Sequence, residues 1–434
     1  MIEQLTTDFK FQDNSERIMK QKFYSGIFIF YLAVIAPNAF GAAEADPYAN
    51  PPTPAFDGQT GANAPAISSS YNVEVIASGL DRPRSLVALP DGNLLVADGK
   101  GALRIVSPES GMSDPLPGMP PVRSVASRGL MDISPAHDFA QSRELFMAFP
   151  TPPSGEPGGE MSAEARTLAA QNGEVFQVNK IARARLSNDN SRIEDVEMIA
   201  DLPGRRLLQA PDGTVYISTM GAGDLTAVQK LDTVEGKMLR INADGSIPVD
   251  NPFYGRSSVR QEIYSWGHRD PDGAMIHPET GELWTIEHGP MGGDELNRII
   301  PGSNFGWPYV TYGKNYDGSE IGPSARTSIE QPLYYWFPSV AVSGLTMYTA
   351  DLFPQWQGDI FIGTMSPTQG KFLVRLEMDG ERVLAEEHLL VDRDRRVRDI
   401  VQGADGALYV LTDSENNADL NRHFPGEVLR LTPR

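Results

Sequence analysis

A repeated β-hairpin pattern is the feature that most constrains the fold of this chain. Residues 84–98, 206–219 and 398–412 each contain an apolar strand, an Asp-Gly turn and a second apolar strand. Looser copies of the same order occur at residues 129–149, 273–286 and 344–363. An Asp-Gly step between two apolar runs is a strong local signal for a β-hairpin. The sequence therefore predicts six related hairpins.

The stretches between the hairpins contain further candidate strands, at residues 102–106, 236–241, 372–376 and 383–388. Six units of four strands predict an all-β fold, a six-bladed β-propeller of four-stranded blades. Residues 72–76 and 426–431 are expected to share one blade and close the ring. A pair of β-sandwiches is the alternative that the spacing leaves open.

Composition narrows the classes of partner and chemistry. The 41 glycines and 34 prolines favour a turn-rich, all-β chain. A formal net charge of −20 argues against nucleic acid and anionic membranes as partners, although a local basic pocket remains compatible with it. The chain has no cysteine, which rules out disulfides, Cys-ligated zinc and a Cys nucleophile.

The N-terminal region predicts export. Residues 19–22 are basic, residues 23–35 are apolar but short for a bilayer span, and residues 43–45 offer a small-residue cleavage site. We expect residues 1–45 to hold a signal peptide that begins at Met19, with residues 1–18 as an upstream extension. The predicted mature protein is periplasmic or secreted, without stable membrane insertion; an N-terminal membrane anchor is the alternative.

Residues 46–70 are rich in Pro, Ala, Gly and Ser and lack periodicity. This composition predicts a disordered linker that leads into a propeller of residues 71–434.

Equivalent repeat positions of a propeller converge on one mouth of the central channel, since the innermost strand of each blade lines it. The residues at or beside these positions are Arg84, Arg128, Arg206, Asp272, Ser343 and Arg398, with Arg396 close by. Unpaired arginines at one axis would repel one another, so an anion is a natural counterpart. The alternative is that these arginines pair with Asp132, Asp272 and Asp399 and brace the ring.

An acidic loop at residues 287–297 is a candidate metal site. It combines the carboxylates of Glu287, Asp294 and Glu295 with backbone carbonyls at Gly289 and Pro290. Oxygen ligands of this kind suit Ca²⁺, although the spacing is not that of an EF-hand. A turn with carboxylates placed by chance is the alternative.

The segment at residues 265–273 precedes the fourth hairpin and contains His268, Arg269, Asp270 and Asp272. These side chains are candidates for acid–base or anion-binding roles. A structural role for His268 is the alternative.

Taken together, five stretches resemble the soluble PQQ-dependent aldose sugar dehydrogenases of the glucose/sorbosone dehydrogenase family. They lie at residues 236–246, 262–269, 287–297, 304–308 and 332–336. The resemblance implies a six-bladed propeller with PQQ at the channel mouth and Ca²⁺ at the carbonyls of Gly289 and Pro290. It also implies that Arg269, Arg396 and Arg398 hold the cofactor carboxylates, and the repeat adds Arg206 to this set.

The family pattern also includes a histidine that accepts the sugar hydroxyl proton while hydride goes to the quinone. In this chain Leu202 occupies the position of that histidine. A Gly-Asp step becomes Gly221-Ala222, with Asp224 displaced, and the Asn and Gln after Arg269 become Asp270 and Asp272.

Two carboxylates beside an anionic cofactor would weaken its binding unless a cation such as Arg205 offsets them. The remaining candidates for a relocated base are Asp270, Asp272 and His268.

The functional expectation is an exported quinoprotein that uses PQQ and Ca²⁺ to oxidise a sugar or related alcohol, with weak or divergent activity. Its electron acceptor is not identified by the sequence. One alternative is a non-catalytic propeller that binds a glycan, a metal or a partner protein. Another is a Ca²⁺-dependent, lactonase-like hydrolase.

Overall fold

The computed structural model describes Tyr48 and residues 50–125, 129–153, 156–175, 177–221, 223, 225–417 and 422–434. The predicted signal peptide and the residues Arg128, Ala222 and Asp224 lie outside this described part. No helix within it is long and apolar enough to cross a membrane.

Six four-stranded antiparallel sheets dominate the structure and confirm the predicted six-bladed propeller. The strands of each blade are given from the channel outward. Blade 1 contains β2 (Ser85–Ala88), β3 (Leu94–Ala97), β4 (Leu103–Ser107) and β5 (Gly111–Met112); blade 2 contains β7 (Asp132–Pro135), β8 (Glu144–Thr151), β10 (Val178–Leu186) and β11 (Ile193–Ala200); and blade 3 contains β12 (Leu207–Gln209), β13 (Thr214–Ser218), β14 (Lys237–Asn242) and β15 (Ile263–Trp266). Blade 4 contains β16 (Pro271–Ile276), β17 (Leu283–Glu287), β18 (Asp294–Arg298) and β19 (Tyr334–Trp336); blade 5 contains β20 (Val342–Met347), β21 (Ile360–Thr364), β22 (Leu373–Asp379) and β23 (Arg382–Leu389); and blade 6 contains β24 (Val397–Gln402), β25 (Leu408–Thr412), β28 (Gly426–Pro433) and β1 (Tyr71–Leu80).

The remaining elements are short. They are the parallel pair β6 (Arg123–Val125) and β9 (Gly159–Met161), the pair β26 (Glu415–Asn417) and β27 (Arg422–Phe424), helices α1 (Phe139–Ser142) and α2 (Ala163–Gln171), and single 3₁₀ turns at Pro354–Trp356 and Val391–Arg393.

The six predicted hairpins form the two innermost strands of the six blades. The glycines of the three Asp-Gly turns, Gly92, Gly213 and Gly406, have φ of 86°, 84° and 78°. Glycine reaches this left-handed region without the steric cost that other residues carry, so these turns close at fixed places in the sequence. Local turn chemistry therefore sets the repeat.

Blade 6 closes the ring as predicted. Strand β1 pairs antiparallel with β28, with Val73 opposite Leu431 and Val75 opposite Leu429. The first and last strands of the propeller thus share one sheet, which fixes the two ends of the ring against each other.

Apolar residues of adjacent blades form the core. Phe146 and Ala148 of blade 2 pack in one cluster with Ile217, Leu239 and Ile241 of blade 3. Such middle strands are buried on both faces, which explains why they are continuous apolar runs. Full burial of a large aliphatic side chain stabilises a fold by roughly 1.5–3 kcal/mol.

The segment at residues 50–70, here called the N-terminal strap, was predicted to be a disordered linker, but in the structure it lies against the outer strands of blades 4 and 5. Tyr335 of β19 donates its backbone N–H to Gln59 O at 2.9 Å, and Glu386 of β23 donates to Asn63 O at 3.0 Å. The side chain of Thr60 donates to Tyr335 O at 2.7 Å. The outer strands of blades 4 and 5 offer unpaired backbone groups, and the strap satisfies them. Composition alone misses this docking because the partners lie about 270–320 residues further along the chain.

Candidate functional site

Arg206 lies immediately before β12 and reaches across the central channel. Its Nη1 lies 3.2 Å from Asp132 Oδ1 and 3.3 Å from Asp399 Oδ2. Its Nε donates to Asp272 O at 2.6 Å, and its Nη2 donates to Arg398 O at 3.3 Å. Burial acts to lower the pKa of Arg206, but the neighbouring aspartates outweigh it and raise that pKa. Arg206 therefore braces four blades, and these contacts favour the bracing alternative over the predicted role in cofactor binding.

Asp132 and Asp399 also satisfy backbone groups of the neighbouring blades. Asp132 Oδ2 accepts from Leu207 N at 2.7 Å, and Asp399 Oδ2 accepts from Leu86 N at 2.9 Å. The two aspartates occupy equivalent places in the repeat, each followed by isoleucine. Side-chain oxygens thus satisfy channel-facing N–H groups that a sheet edge would otherwise leave unpaired.

Arg84 and Arg398 lie at the channel mouth with spare donor capacity. Arg398 Nη2 lies 2.8 Å from Asp413 Oδ2, and its Nη1 lies 3.7 Å from Asp272 Oδ2. Burial, together with the charge of Arg398, lowers the pKa of Arg84 to about 9. The Nε atoms of both arginines are buried and have no hydrogen-bond partner among the described residues. This part of the site favours an additional negative charge.

Arg205 pairs with the two aspartates that distinguish this chain from the family pattern. Its Nε lies 2.8 Å from Asp270 Oδ1 and 3.4 Å from Asp272 Oδ1. Burial opposes the ionisation of Asp272, but Arg205 and the nearby His288 side chain outweigh it and hold the pKa of Asp272 well below its usual value. Asp272 is therefore ionised and weakly basic, and Arg205 neutralises charge that would repel an anion.

His288 is a site residue that the sequence reasoning missed. Its Nε2 lies 3.5 Å from Asp272 Oδ2, its backbone N donates to Asp270 O at 3.1 Å, and its side chain is 15% exposed. Its carbonyl accepts a hydrogen bond from Arg269 Nη1 at 2.9 Å. Its position directly after Glu287, at the end of the fourth predicted hairpin, was the sequence feature that could have identified it. Glu287 pairs with Pro271 in the β16–β17 register. This register brings His288 beside Asp270 and Asp272.

His268, a predicted candidate for the catalytic base, is fully buried. Its Nε2 lies 2.8 Å from Ser265 Oγ, and its Nδ1 lies 3.2 Å from Glu287 Oε1. The ring stacks on Phe305 with a centroid distance of 4.5 Å. Both ring nitrogens are engaged within the fold, and this geometry favours the structural alternative over a catalytic role.

Most carboxylate oxygens of Glu287 and Asp294 in the acidic loop already accept hydrogen bonds from within the protein. Glu287 Oε2 accepts from Arg269 N at 2.7 Å, and Asp294 accepts from Gly289 N at 2.8 Å and from Ala341 N at 2.7 Å. The pKa of Glu295 is raised well above its usual value, mainly by burial and also by the negative charges of Glu287 and Asp294. No cluster of three or more metal-binding side chains occurs among the described residues.

A cavity of about 10 Å³ nevertheless lies beside the acidic loop, with Glu287, Glu295, Gly289 and Thr311 in its wall. That volume is about the space that one water molecule or one small ion occupies. Glu287 is buried and Glu295 is half-buried at this cavity, which Arg269 also lines. Two carboxylates so close together favour a cation or a proton between them.

Three other predicted positions complete the site. Leu202 is 6% exposed and packs in an apolar cluster, so it offers no proton acceptor. Arg396 Nε lies 3.0 Å from Glu415 Oε1, and its side chain is 38% exposed. Arg269 lies over the Trp307 ring, with its guanidinium carbon 5.5 Å from the ring centroid.

The glucose/sorbosone dehydrogenase family model matches residues 80–422. The chain belongs to this family. It is 36% identical over 383 residues to aldose sugar dehydrogenase YliI of Escherichia coli (strain K12), covering 85% of this chain and 95% of that protein. It is 25% identical over 460 residues to quinoprotein glucose dehydrogenase B of Acinetobacter calcoaceticus, covering 85% and 92%.

Solved structures agree with this assignment. The soluble aldose sugar dehydrogenase from Escherichia coli in its apo-form matches with a TM-score of 0.72 and 36% identity, over 84% of this chain and all of that one. The PQQ-bound aldose sugar dehydrogenase from Streptomyces coelicolor matches in fold, with a TM-score of 0.62 and 23% identity, over 84% and 100%. Membership of the glucose/sorbosone dehydrogenase family supports an oxidoreductase of sugars.

Proposed function

We propose that this member of the glucose/sorbosone dehydrogenase family is an exported oxidoreductase that uses PQQ and Ca²⁺ to oxidise a sugar or related alcohol, with low activity. The observation that carries the cofactor assignment is the set of guanidinium groups at the channel mouth. The Nε atoms of Arg84, Arg269 and Arg398 are buried without a hydrogen-bond partner among the described residues. A buried donor left unpaired costs about 1–3 kcal/mol, which an anion with several carboxylates would offset.

The donor set fits a polycarboxylate cofactor. Arg269, Arg396 and Arg398 would hold PQQ by charge-assisted hydrogen bonds, which are stronger than neutral ones. Bound PQQ supplies an acceptor for hydride from the sugar carbon. Arg205 supports this function indirectly, because its single positive charge offsets part of the negative charge of Asp270 and Asp272, at 2.8 and 3.4 Å.

We propose a low activity because the groups that could accept the substrate proton are weak bases. Asp270 and Asp272 remain the candidate acceptors, and both are ion-paired with Arg205. The depressed pKa of Asp272 makes it a weak base, with His288 as its neighbour at 3.5 Å. A well-matched general base contributes about a hundredfold to ten-thousandfold in rate, and Leu202 supplies none of it.

We place the proposed Ca²⁺ at the acidic loop, with the carbonyls of Gly289 and Pro290 and the carboxylates of Glu287, Asp294 and Glu295 as candidate ligands. The raised pKa of Glu295 and the small cavity support a cation here. Addition of Ca²⁺ is expected to raise the melting temperature, and Glu295→Gln is expected to weaken that effect. An unchanged melting curve and no metal by elemental analysis would contradict this assignment.

A PQQ titration followed by absorption tests the cofactor assignment. With Ca²⁺ present, we expect saturable spectral changes and dye-coupled oxidation of an aldose at a low rate. Arg269→Ala is expected to weaken PQQ binding about tenfold, whereas Arg183→Ala on a solvent-exposed part of blade 2 is expected to leave it unchanged. Absence of any PQQ-dependent spectrum would overturn the proposal.

A non-catalytic sugar- or partner-binding propeller is the second candidate. The specific observation in its favour is the buried Leu202, which packs in the apolar cluster between blades 2 and 3. PQQ-independent binding of a sugar without turnover would favour this candidate.

The proposed export is tested separately. N-terminal sequencing of the mature protein is expected to find a start between residues 42 and 46 and to recover the protein from the periplasm. A cytoplasmic product that begins at Met1 or Met19 would contradict it.

A further inference from the structure

Tyr316 is an exposed aromatic residue that touches the candidate site. Its hydroxyl lies 3.4 Å from Arg269 Nη2, yet 76% of the residue is exposed to solvent. Arg269 itself is fixed on two other sides, by the His288 carbonyl at 2.9 Å and by the Trp307 ring at 5.5 Å. Tyr316 therefore lies at the outer rim of the site, on the solvent side of Arg269.

A short hairpin holds Tyr316 in this position. Asn315 N donates to Ser319 O at 2.9 Å, and Gly318 N donates to Asn315 O at 2.8 Å. Lys314 pairs with Glu320, with Nζ and Oε1 3.2 Å apart. These contacts fix both arms of the hairpin around the tyrosine.

The hairpin is also anchored to the acidic loop. Met291 N donates to Lys314 O at 3.2 Å, and Lys314 is 7% exposed, with its ammonium 5.7 Å from the Phe337 ring centroid. An aromatic ring that is exposed but already ordered loses little conformational entropy when a ligand packs on it. The chain thus presents a fixed aromatic surface beside the site.

We propose that Tyr316 is a substrate-binding residue that stacks against the second sugar unit of a disaccharide or longer oligosaccharide. This inference rests on the proposed function, because it takes the first sugar unit to lie at Arg269 and the Asp270–Asp272 pair. The C–H face of a pyranose ring is apolar and packs well on an aromatic face, while the sugar hydroxyls remain in water. The rim position of Tyr316 suits the unit that follows the one being oxidised.

Maltose and glucose distinguish a second-unit contact from a general effect on the site. In the wild-type protein with PQQ and Ca²⁺, we expect a lower KM for maltose than for glucose. Tyr316→Ala is expected to raise the KM for maltose about tenfold, with kcat and the KM for glucose changed less than twofold. Tyr316→Phe keeps the ring and is expected to stay within twofold of wild type.

Tyr254→Ala is the matched control, because Tyr254 is a 49% exposed tyrosine on blade 3 that contacts none of the described site residues. An unchanged KM for maltose in Tyr316→Ala would overturn the proposal. So would an equal rise for glucose and maltose, or a Tyr316→Phe variant that behaves like Tyr316→Ala.

Binding measurements separate this inference from the proposed function. Saturation-transfer NMR of the PQQ-free protein with maltose reports contact without turnover. If PQQ does not bind but the maltose signal is lost in Tyr316→Ala, the sugar contact stands and the oxidoreductase proposal fails. If wild-type protein binds PQQ but shows neither binding nor turnover of maltose, the Tyr316 proposal fails.

Discussion

Arg205 Nε lies 2.8 Å from Asp270 Oδ1 inside the candidate site, where both side chains are largely buried, at 16% and 13% exposure. By resemblance, the family has Asn and Gln where this chain has Asp270 and Asp272, and Arg205 lies against both aspartates. The cation and the two carboxylates therefore form one compensating set. Taken singly, each would leave a buried charge without its partner.

Loss of Arg205 is expected to destabilise the protein. Arg205→Ala should lower the free energy of unfolding by about 3 kcal/mol, because Asp270 and Asp272 lose their cation. The triple variant Arg205→Gly, Asp270→Asn, Asp272→Gln should recover most of that loss, since it removes all three charges together. Urea unfolding at pH 7 measures both effects. Arg183→Ala, which removes an exposed pair with Glu197, should cost less than about 1 kcal/mol; a comparable loss in the two single variants would refute the compensating set.

The channel brace predicts a pH effect on stability. Burial raises the pKa of Asp132 to about 6, against an ordinary value of 3.8, and the nearby charge of Asp399 adds to this rise. Between about pH 4 and 6 the folded protein retains a proton at Asp132 that the unfolded chain has lost. The contribution of this group is therefore present at low pH and declines by up to about 1.4 kcal/mol per pH unit as the pH rises through 6.

Asp132→Asn removes this titration. The unfolding free energy of wild type relative to Asp132→Asn should fall between pH 4 and pH 6 and then level off. Urea unfolding at pH 4.5, 5.5 and 7.0 gives the comparison. Parallel pH profiles for the two proteins would show that Asp132 keeps an ordinary pKa.

Restoring a base at position 202 should raise activity if the proposed function holds. Leu202→His puts an imidazole where the family pattern has its proton acceptor, and a general base is worth about a hundredfold or more. Dye-coupled aldose oxidation with added PQQ and Ca²⁺ measures the gain. Leu202→Asn is the matched polar control without a base, and both variants should lose some stability because Leu202 is buried. Equal rates in Leu202→His and Leu202→Asn would place the proton acceptor elsewhere.

Gln59 is expected to fasten the N-terminal strap. It is fully buried, its Nε2 donates to Pro332 O at 2.8 Å, and its Oε1 accepts from Ala55 N at 2.7 Å. Gln59→Ala should cost about 1–3 kcal/mol, because the Pro332 and Ala55 groups lose their partner. The same variant should be cut faster by protease within residues 50–70.

The exposed Gln141 supplies the control for the strap. Gln141→Ala should leave both the unfolding curve and the cleavage pattern unchanged. Wild-type cleavage within residues 50–70 as fast as in Gln59→Ala would mean that this segment is not docked in solution.

The sequence by itself determined the repeat and the architecture. Asp-Gly turns at Gly92, Gly213 and Gly406 are local signals, because the turn and its two strands lie within about fifteen residues. Repetition of that unit led to six blades, and the strand patterns at the two ends led to ring closure in blade 6. Family motifs then indicated which positions lie near the channel mouth.

Only the tertiary structure decided what each charged residue does. Arg206 and Arg398 occupy similar places in the repeat, yet Arg206 crosses the channel to Asp399, 193 residues away, whereas Arg398 keeps a buried Nε without a partner. His268 and His288 both belong to conspicuous motifs, but His268 is buried against Phe305 and Glu287. The β16–β17 pairing instead brings His288 beside Asp272. The strap is docked by strand edges more than 270 residues distant. Charge pairing and burial depend on distances across the ring, and spacing along the chain does not contain those distances.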